Sequence, residues 1–206
     1  MSFYERHVLP HFINCACGSR PIMRQRQKVV PAATGTVLEI GIGTGLNLPY
    51  YDAQRVERLI GLDPSERSWE LAGERAAQLE FPVEFIGLPG EEIPLADRSV
   101  DTIVMTYSLC TIPEPLAALA GMRRVLRPGG RLLFVEHGRA PDASVRRWQD
   151  HLNRPWGAIA GGCHLNRDIP ALLQDGGFQT DQLETMYLPS TPRFAGFNFW
   201  GSAVIA

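Results

Sequence analysis

From Thr36 onward, short apolar runs alternate with amphipathic stretches along this chain. Residues 37–40 have the pattern of a buried strand, and 59–63 (Leu-Ile-Gly-Leu-Asp) that of a second. Helical spacing over 68–79 precedes a third strand at 83–86. Residues 101–105 and 131–135 predict a fourth and a fifth strand, with an amphipathic helix over 116–126 between them, stopped by Pro128-Gly129-Gly130. Strands alternating with helices imply a parallel sheet covered on both faces. The last third changes style. Residues 143–152 and 168–175 read as helices, the second ending at Gly176-Gly177, and 155–162 is small and apolar. Residues 178–187 and 197–205 predict two strands joined through Pro189 and Pro192, a hairpin that would place an antiparallel strand at the sheet edge.

The first 33 residues form a separate pattern. Phe3, Tyr4, Val8, Leu9, Phe12 and Ile13 recur at nearly helical spacing, with Pro10 expected to kink or divide any helix. Arg20, Arg24, Arg26 and Lys28 follow, with Glu5 the acid in the same stretch. This segment reads either as a helical cap or lid with its charges in water, or as a surface that touches anionic membrane.

The densest chemical signal lies in Glu39-Ile40-Gly41-Ile42-Gly43-Thr44-Gly45-Leu46. A strand can deliver such a loop to a ligand, and glycine lets the backbone pass close to it. In the dinucleotide pattern G-x-G-x-x-G the third glycine would stand at Leu46, so the loop departs from that pattern. Asp63 ends the second strand roughly 20 residues later, where an acid can accept hydrogen bonds from a ribose diol.

Length and charge narrow the options. The 206 residues suit one domain, 1–206, with a cap over 1–33 and a core over 34–206. A net charge of -2 gives no global basic field for nucleic acid. Lys28 is the single lysine, which leaves little scope for lysine-based covalent chemistry. Cys15, Cys17, Cys110 and Cys163 form no C-x-x-C pair and no zinc-site spacing, so no metal is expected. Reduced thiols, no apolar run near the ~18 residues of a membrane span, and no secretory pattern at the start favour a cytoplasmic protein. Oligomeric state is not legible.

The glycine loop, Asp63, the segment Ser99-Val100-Asp101-Thr102-Ile103-Val104-Met105-Thr106-Tyr107-Ser108-Leu109 and the turn Val125-Leu126-Arg127-Pro128-Gly129-Gly130 occur in the order found in class I S-adenosylmethionine-dependent methyltransferases, which the chain resembles across 37–137. The pattern is that of the type 11, ubiquinone-biosynthesis-like group. The resemblance implies a Rossmann-like, seven-stranded, mostly parallel sheet with helices on both faces and a C-terminal antiparallel strand. It implies S-adenosyl-L-methionine as cofactor and S-adenosyl-L-homocysteine as product. By the same resemblance Glu39, Gly41, Gly43, Gly45, Asp63 and Pro64 hold the nucleoside and amino acid ends, and Gly90 and Glu91 the adenine edge. Thr106, Tyr107 and Leu109 then lie beside the methionine portion. Pro89 stands where many relatives place an adenine-binding Asp, so a backbone N–H at Gly90 or Glu91 is the expected substitute.

Past the fifth strand, Phe134-Val135-Glu136-His137, Trp148-Gln149, Gly162-Cys163-His164-Leu165-Asn166-Arg167 and Phe199-Trp200-Gly201-Ser202-Ala203-Val204 resemble the alkyl thiol S-methyltransferases of animals. This implies a small methyl acceptor, a thiol or hydrogen sulfide. His137, His164 and Arg167 are the candidate catalytic residues, the histidines as proton acceptors. Arg167 either favours an anion or pairs with Asp168 or another acid. Trp148, Trp156 and Tyr107 either wall an apolar pocket or belong to the core. The alternatives are a phosphatidylethanolamine or quinone-precursor methyltransferase, docked on membrane through the N-terminal segment, and a cofactor-binding module without catalysis.

Overall fold

The computed structural model describes residues 8–206. Two helices open the chain, α1 (Leu9–Cys17) and α2 (Arg20–Val29). Then come β1 (Gly35–Ile40), β2 (Val56–Leu62), α3 (Glu66–Ala76), β3 (Val83–Ile86), β4 (Val100–Thr106), α4 (Pro115–Val125), β5 (Leu126–His137), α5 (Ala143–Ile159), α6 (Ile169–Asp175), β6 (Phe178–Tyr187), the short α7 (Arg193–Gly196) and β7 (Phe197–Ile205). The strands form one seven-stranded sheet in the order β3-β2-β1-β4-β5-β7-β6. The first five are parallel, and β7 runs antiparallel to both of its neighbours. The Rossmann-like expectation holds, with one correction: β6 is the edge, and the antiparallel strand is threaded one place inside it.

Period-two alternation along the strands divides the core between the two faces. Leu38, Ile40, Ile60, Leu62, Ile103, Met105, Leu132 and Phe134 pack with α4 and α6 through Leu119, Met122, Ile169 and Leu173. Val37, Leu59, Val104, Leu133 and Val135 belong to the opposite layer, with Val29 of α2 and Ala72 of α3. Strands buried on both sides must be apolar throughout, which is why they were readable as continuous runs.

Proline accounts for most of the boundary differences. Pro10 lies in the first turn of α1, where a helix does not use its N–H, so it starts the helix rather than kinking it. The expectations resting on Phe3, Tyr4 and the Phe12 side chain fall outside the described residues. Pro155 lies inside α5, which runs seventeen residues rather than stopping at 152. Tertiary contacts hold the helix there: Trp156 packs on Cys110, Ala160 and Cys163, and the Asn153 side chain accepts the Leu165 N–H at 2.8 Å. Pro128-Gly129-Gly130 lies within β5 as an irregularity, because Val100 pairs with Leu126 while Thr102 pairs with Arg131.

Candidate active site

The loop after β1 is bent into the left-handed region at all three glycines, with φ of +70° at Gly41, +50° at Gly43 and +72° at Gly45. Gly41 is also a close approach: a Cβ there would overlap Ser108 Oγ, which donates to the Ile40 carbonyl at 2.8 Å. At Gly43 the nearest atoms a Cβ would meet are Asp63 Oδ2 at 3.8 Å and the Gly41 carbonyl at 3.9 Å. Asp63 Oδ2 accepts the Gly43 N–H at 2.9 Å, and Oδ1 accepts the Ser65 N–H at 2.8 Å. Burial raises the Asp63 pKa, and these two N–H groups oppose the rise. Each oxygen keeps acceptor capacity, so this half-buried carboxylate can receive a diol. Pro64 is exposed between Asp63 and Ser65, whose Oγ caps α3 by accepting the Ser68 N–H.

Beneath the loop lies a buried polar network that the sequence only partly disclosed. Glu39 accepts from Asn47 Nδ2 at 2.9 Å and from the Tyr51 hydroxyl at 2.6 Å. Arg26 Nη1 donates to Asn47 Oδ1 at 2.9 Å and to Thr106 Oγ1 at 2.5 Å, while Arg26 Nε has no hydrogen-bond partner. Arg26 is 5% exposed. The basic stretch is therefore not wholly a solvated face: α2 turns Arg26 inward, over the Tyr107 ring at 5.2 Å, and leaves Arg20 and Arg24 in water. Asn14 of α1 accepts from Thr44 Oγ1 at 2.7 Å, so both N-terminal helices contact the glycine-loop region.

Burial pushes the Glu39 pKa up from 4.5 to about 7, against the opposing pull of Tyr51, Arg26 and Asn47. The sign follows from linkage. Between pH 4.5 and about 7 the unfolded chain has released this proton and the folded chain still holds it, so stability falls as pH rises through that window. Full ionisation costs on the order of 3 kcal/mol at 1.36 kcal/mol per pKa unit. Asp63 and Glu136, also raised by burial, add in the same sense. Urea midpoints measured from pH 5 to 8 are expected to decline in the parent and to decline less in Glu39→Gln; equal slopes would refute Glu39 as a source.

The turn after β4 is held by β5. Glu136, fully buried, accepts the N–H groups of Ser108 at 2.8 Å, Leu109 at 3.0 Å and Cys110 at 3.4 Å. Tyr107 has φ of +56°, rare for a bulky residue and typical of constrained turns at functional sites. Its N–H donates to the Val135 carbonyl at 2.7 Å, and its hydroxyl donates to Asn198 Oδ1 at 2.6 Å. Thr106 and Leu109 are buried on either side. Glu136, Asn198, Asn47, Tyr51 and Arg26 escaped sequence reading as site residues. Only the adjacency of Glu136 to His137 hinted at any of them.

Beside that turn, His137 Nε2 lies 3.0 Å from Cys163 Sγ, and Cys163 Sγ lies 3.9 Å from Cys110 Sγ. Contact with Cys110, reinforced by burial, holds the Cys163 thiol well above its ordinary pKa. His164 is turned away, its Nδ1 3.2 Å from Asn153 Nδ2. Burial and Arg167 lower its pKa, so its ring is neutral at pH 7. Arg167 makes no ion pair with Asp168; its charge acts on Cys110, Glu136 and Cys163. It donates to the carbonyls of Leu109 and of Ile112, the latter at 2.7 Å, while Asp168 caps α6. Trp148 is 62% exposed and walls no pocket, because it lies on the solvent face of α5. Trp156 does pack on Cys110, Ala160 and Cys163, and its buried indole N–H has no partner.

Gly90 fits tightly between Ile112 and Ile40, and Glu91 Oε1 accepts the Glu114 N–H at 3.1 Å. The Glu91 carboxylate is thus committed to the start of α4. Two surface hollows lie away from the glycine loop. One, of about 450 Å³, is bounded by Lys28, Arg55, Arg131 and Trp200; the other, of about 630 Å³, by Arg98, Arg127 and Pro128. Neither adjoins the C-terminal ends of the parallel strands β1, β2 and β4, where ligands of such sheets bind.

Comparison with known proteins is consistent with this geometry. Residues 38–134 match the family described as a methyltransferase domain. Human thiol S-methyltransferase TMT1B is 36% identical over 183 residues, spanning 82% of this chain and 73% of that protein. The phosphatidylethanolamine N-methyltransferase of Cereibacter sphaeroides is 35% identical over 123 residues, 57% of this chain and 60% of that protein. Among solved structures, a SAM-dependent methyltransferase from Aquifex aeolicus superposes with a TM-score of 0.67 at 20% identity, covering 96% of this chain and 98% of that one.

Proposed function

Because the chain belongs to the class I S-adenosylmethionine-dependent methyltransferases, the family that includes thiol S-methyltransferase TMT1B, we propose that its acceptor is a small alkyl thiol or hydrogen sulfide. The observation that carries this reading is the 36% identity to that thiol methyltransferase across 82% of the chain, which extends well past the residues shared with methyltransferases at large. The residues present fit the cofactor: a left-handed glycine loop open at Gly43, a carboxylate beside it, and a buried acid below. When bound, the cofactor supplies a sulfonium methyl for in-line attack and leaves as S-adenosylhomocysteine. Asp63 receives the ribose diol and keeps the loop in register. Glu39 holds Asn47 and Tyr51 under the amino acid end. The N–H groups at Gly90 and Glu91 face the adenine edge, and Pro64 shapes the strand end.

On the acceptor side, Glu136 fixes the turn from Thr106 to Leu109, so the wall behind the methyl does not yield during attack. Arg167 ties Leu109 and Ile112 to the segment carrying Cys163. His137, at the end of β5 beside Cys163, is the better placed proton acceptor, because its neighbour Glu136 holds the turn from Ser108 to Cys110 while His164 faces Asn153. The N-terminal helices act as a lid over the loop, through Asn14 and Arg26. A panel of thiols, amines and phenols assayed for S-adenosylhomocysteine release is expected to give turnover with small thiols; turnover confined to amines or phenols refutes the reading.

A second reading, a lipid-like acceptor, draws on the phosphatidylethanolamine methyltransferase likeness and on exposed Val8 and Ile13 near Arg20 and Arg24. Among the described residues no helix is long and apolar enough to cross a membrane. Turnover stimulated by anionic vesicles would favour it.

A further inference from the structure

We propose that Cys110, His137 and Cys163 bind one soft divalent cation, Zn²⁺ or a close relative, and that its remaining coordination position takes the acceptor thiolate. The last clause rests on the thiol reading above; the metal site does not.

The three side chains come from separate parts of the chain and meet at one point. Cys110 follows the turn after β4, His137 ends β5, and Cys163 follows α5. Their ligand atoms all lie within 4.8 Å of one another. A tetrahedral zinc with bonds of about 2.3 Å to sulfur and about 2.0 Å to nitrogen needs ligand atoms roughly 3.4–3.8 Å apart. The observed 3.9 Å between sulfurs and 3.0 Å from His137 Nε2 to Cys163 Sγ bracket that spacing, so small side-chain rotations suffice. Two cysteines and a histidine form a donor set used by catalytic zinc, which keeps a fourth position for substrate.

The surroundings suit the ion. Binding releases the two thiol protons, and two thiolates neutralise the dication. The other charges beside His137 are Glu136 and Arg167. Glu136 is committed to three backbone N–H groups and Arg167 to two carbonyls, so neither is a spare ligand. Trp156 packs on Cys110 and Cys163 and carries a buried indole N–H without a partner. A metal-bound thiol is deprotonated outright, so an acceptor could arrive as a thiol, lose its proton to solvent on coordination, and present a thiolate beside the turn at Thr106 to Leu109. In the metal-loaded protein His137 serves as a ligand through the nitrogen that faces Cys163, and coordination of the thiolate takes the place of proton acceptance by His137.

The test uses the full chain in a Cys15→Ser background, which removes an exposed thiol. Chelator-stripped protein is titrated with Zn²⁺ against a colorimetric chelator, and with Co²⁺ by absorption spectroscopy. The expected result is about one zinc per chain, thiolate-to-cobalt charge-transfer bands, and affinity lowered by ~10- to 100-fold or more in Cys110→Ser and in Cys163→Ser. Circular dichroism of each variant guards against misfolding. A small alkyl thiol should then shift the cobalt visible bands. Zinc affinity equal in the folded parent and in Cys110→Ser/Cys163→Ser overturns the metal site. Undiminished thiol methylation by the stripped protein overturns the metal's part in activation and leaves the thiol reading intact. Stoichiometric cobalt binding without a thiol response, joined to no turnover on any thiol, refutes the thiol reading and upholds the metal site.

Discussion

Asp63→Asn is expected to weaken S-adenosylhomocysteine binding by roughly 100-fold, about 3 kcal/mol at 1.4 kcal/mol per decade. The carboxylate holds two structural N–H groups, from Gly43 and Ser65, one on each oxygen. An asparagine has one oxygen and one NH₂ group. In either rotamer it satisfies one of those N–H groups and turns a donor toward the other. If Gly43 is released, the loop loses its tether to the second strand; if Ser65 is released, the start of α3 loosens. The ribose also loses a charged acceptor, an interaction worth ~1.5–3 kcal/mol. Titration calorimetry on the folded variant measures this directly. A change of less than about threefold would remove Asp63 from the cofactor site, because no other role for it predicts a large loss of affinity with an intact fold.

The second large effect falls on stability. Glu136→Ala is expected to cost roughly 3–5 kcal/mol, the range seen when one partner of a buried charged network is removed. Three backbone donors at Ser108, Leu109 and Cys110 would lose their acceptor in a site with no exposure. Against a total of about 5–15 kcal/mol for a typical domain, this approaches unfolding. Glu136→Gln keeps the volume but offers a single carbonyl oxygen to three N–H groups, so an intermediate loss of about 2–3 kcal/mol is expected. With the turn from Thr106 to Leu109 as the proposed acceptor wall, turnover in Glu136→Gln should fall more than cofactor affinity. Urea denaturation and steady-state kinetics test the two parts. A Gln variant with parental stability and turnover would show that the three contacts are dispensable.

The central strands were legible because β1 and β4 are buried along most of their length, although the edge strand β6 is largely exposed. The spans of β3, β6 and β7 in the structure are the predicted ones. Where the reading of helices failed, it failed on proline, since Pro10 and Pro155 act according to position within a helix and to packing, neither of which a residue type reveals. The proposed nucleoside side of the site stands out as local sequence: a glycine loop and an acid at a strand end. The supporting network was not. Arg26 sits in a run of basic residues that looks solvated, and its burial depends on which face of α2 meets Asn47 and Thr106. The Cys110, His137 and Cys163 cluster has no motif at all, because more than twenty residues separate each member from the next and only the topology joins them. Trp148 misled for the converse reason. It shares a motif-like W-Q pair with Gln149, but the helix turns consecutive side chains onto different faces, Gln149 to the interior and Trp148 to solvent.

The threading of β7 between β5 and β6 sets an order of events during synthesis. Residues 178–187 leave the ribosome before 197–205, yet they can join the sheet only through the later strand. Until then the outer edge of β5 and both edges of the nascent β6 expose unpaired backbone groups, the kind of edge that recruits foreign strands. Closure of the sheet, and with it the anchoring of Tyr107 by Asn198 in the turn after β4, therefore waits on the arrival of that second segment.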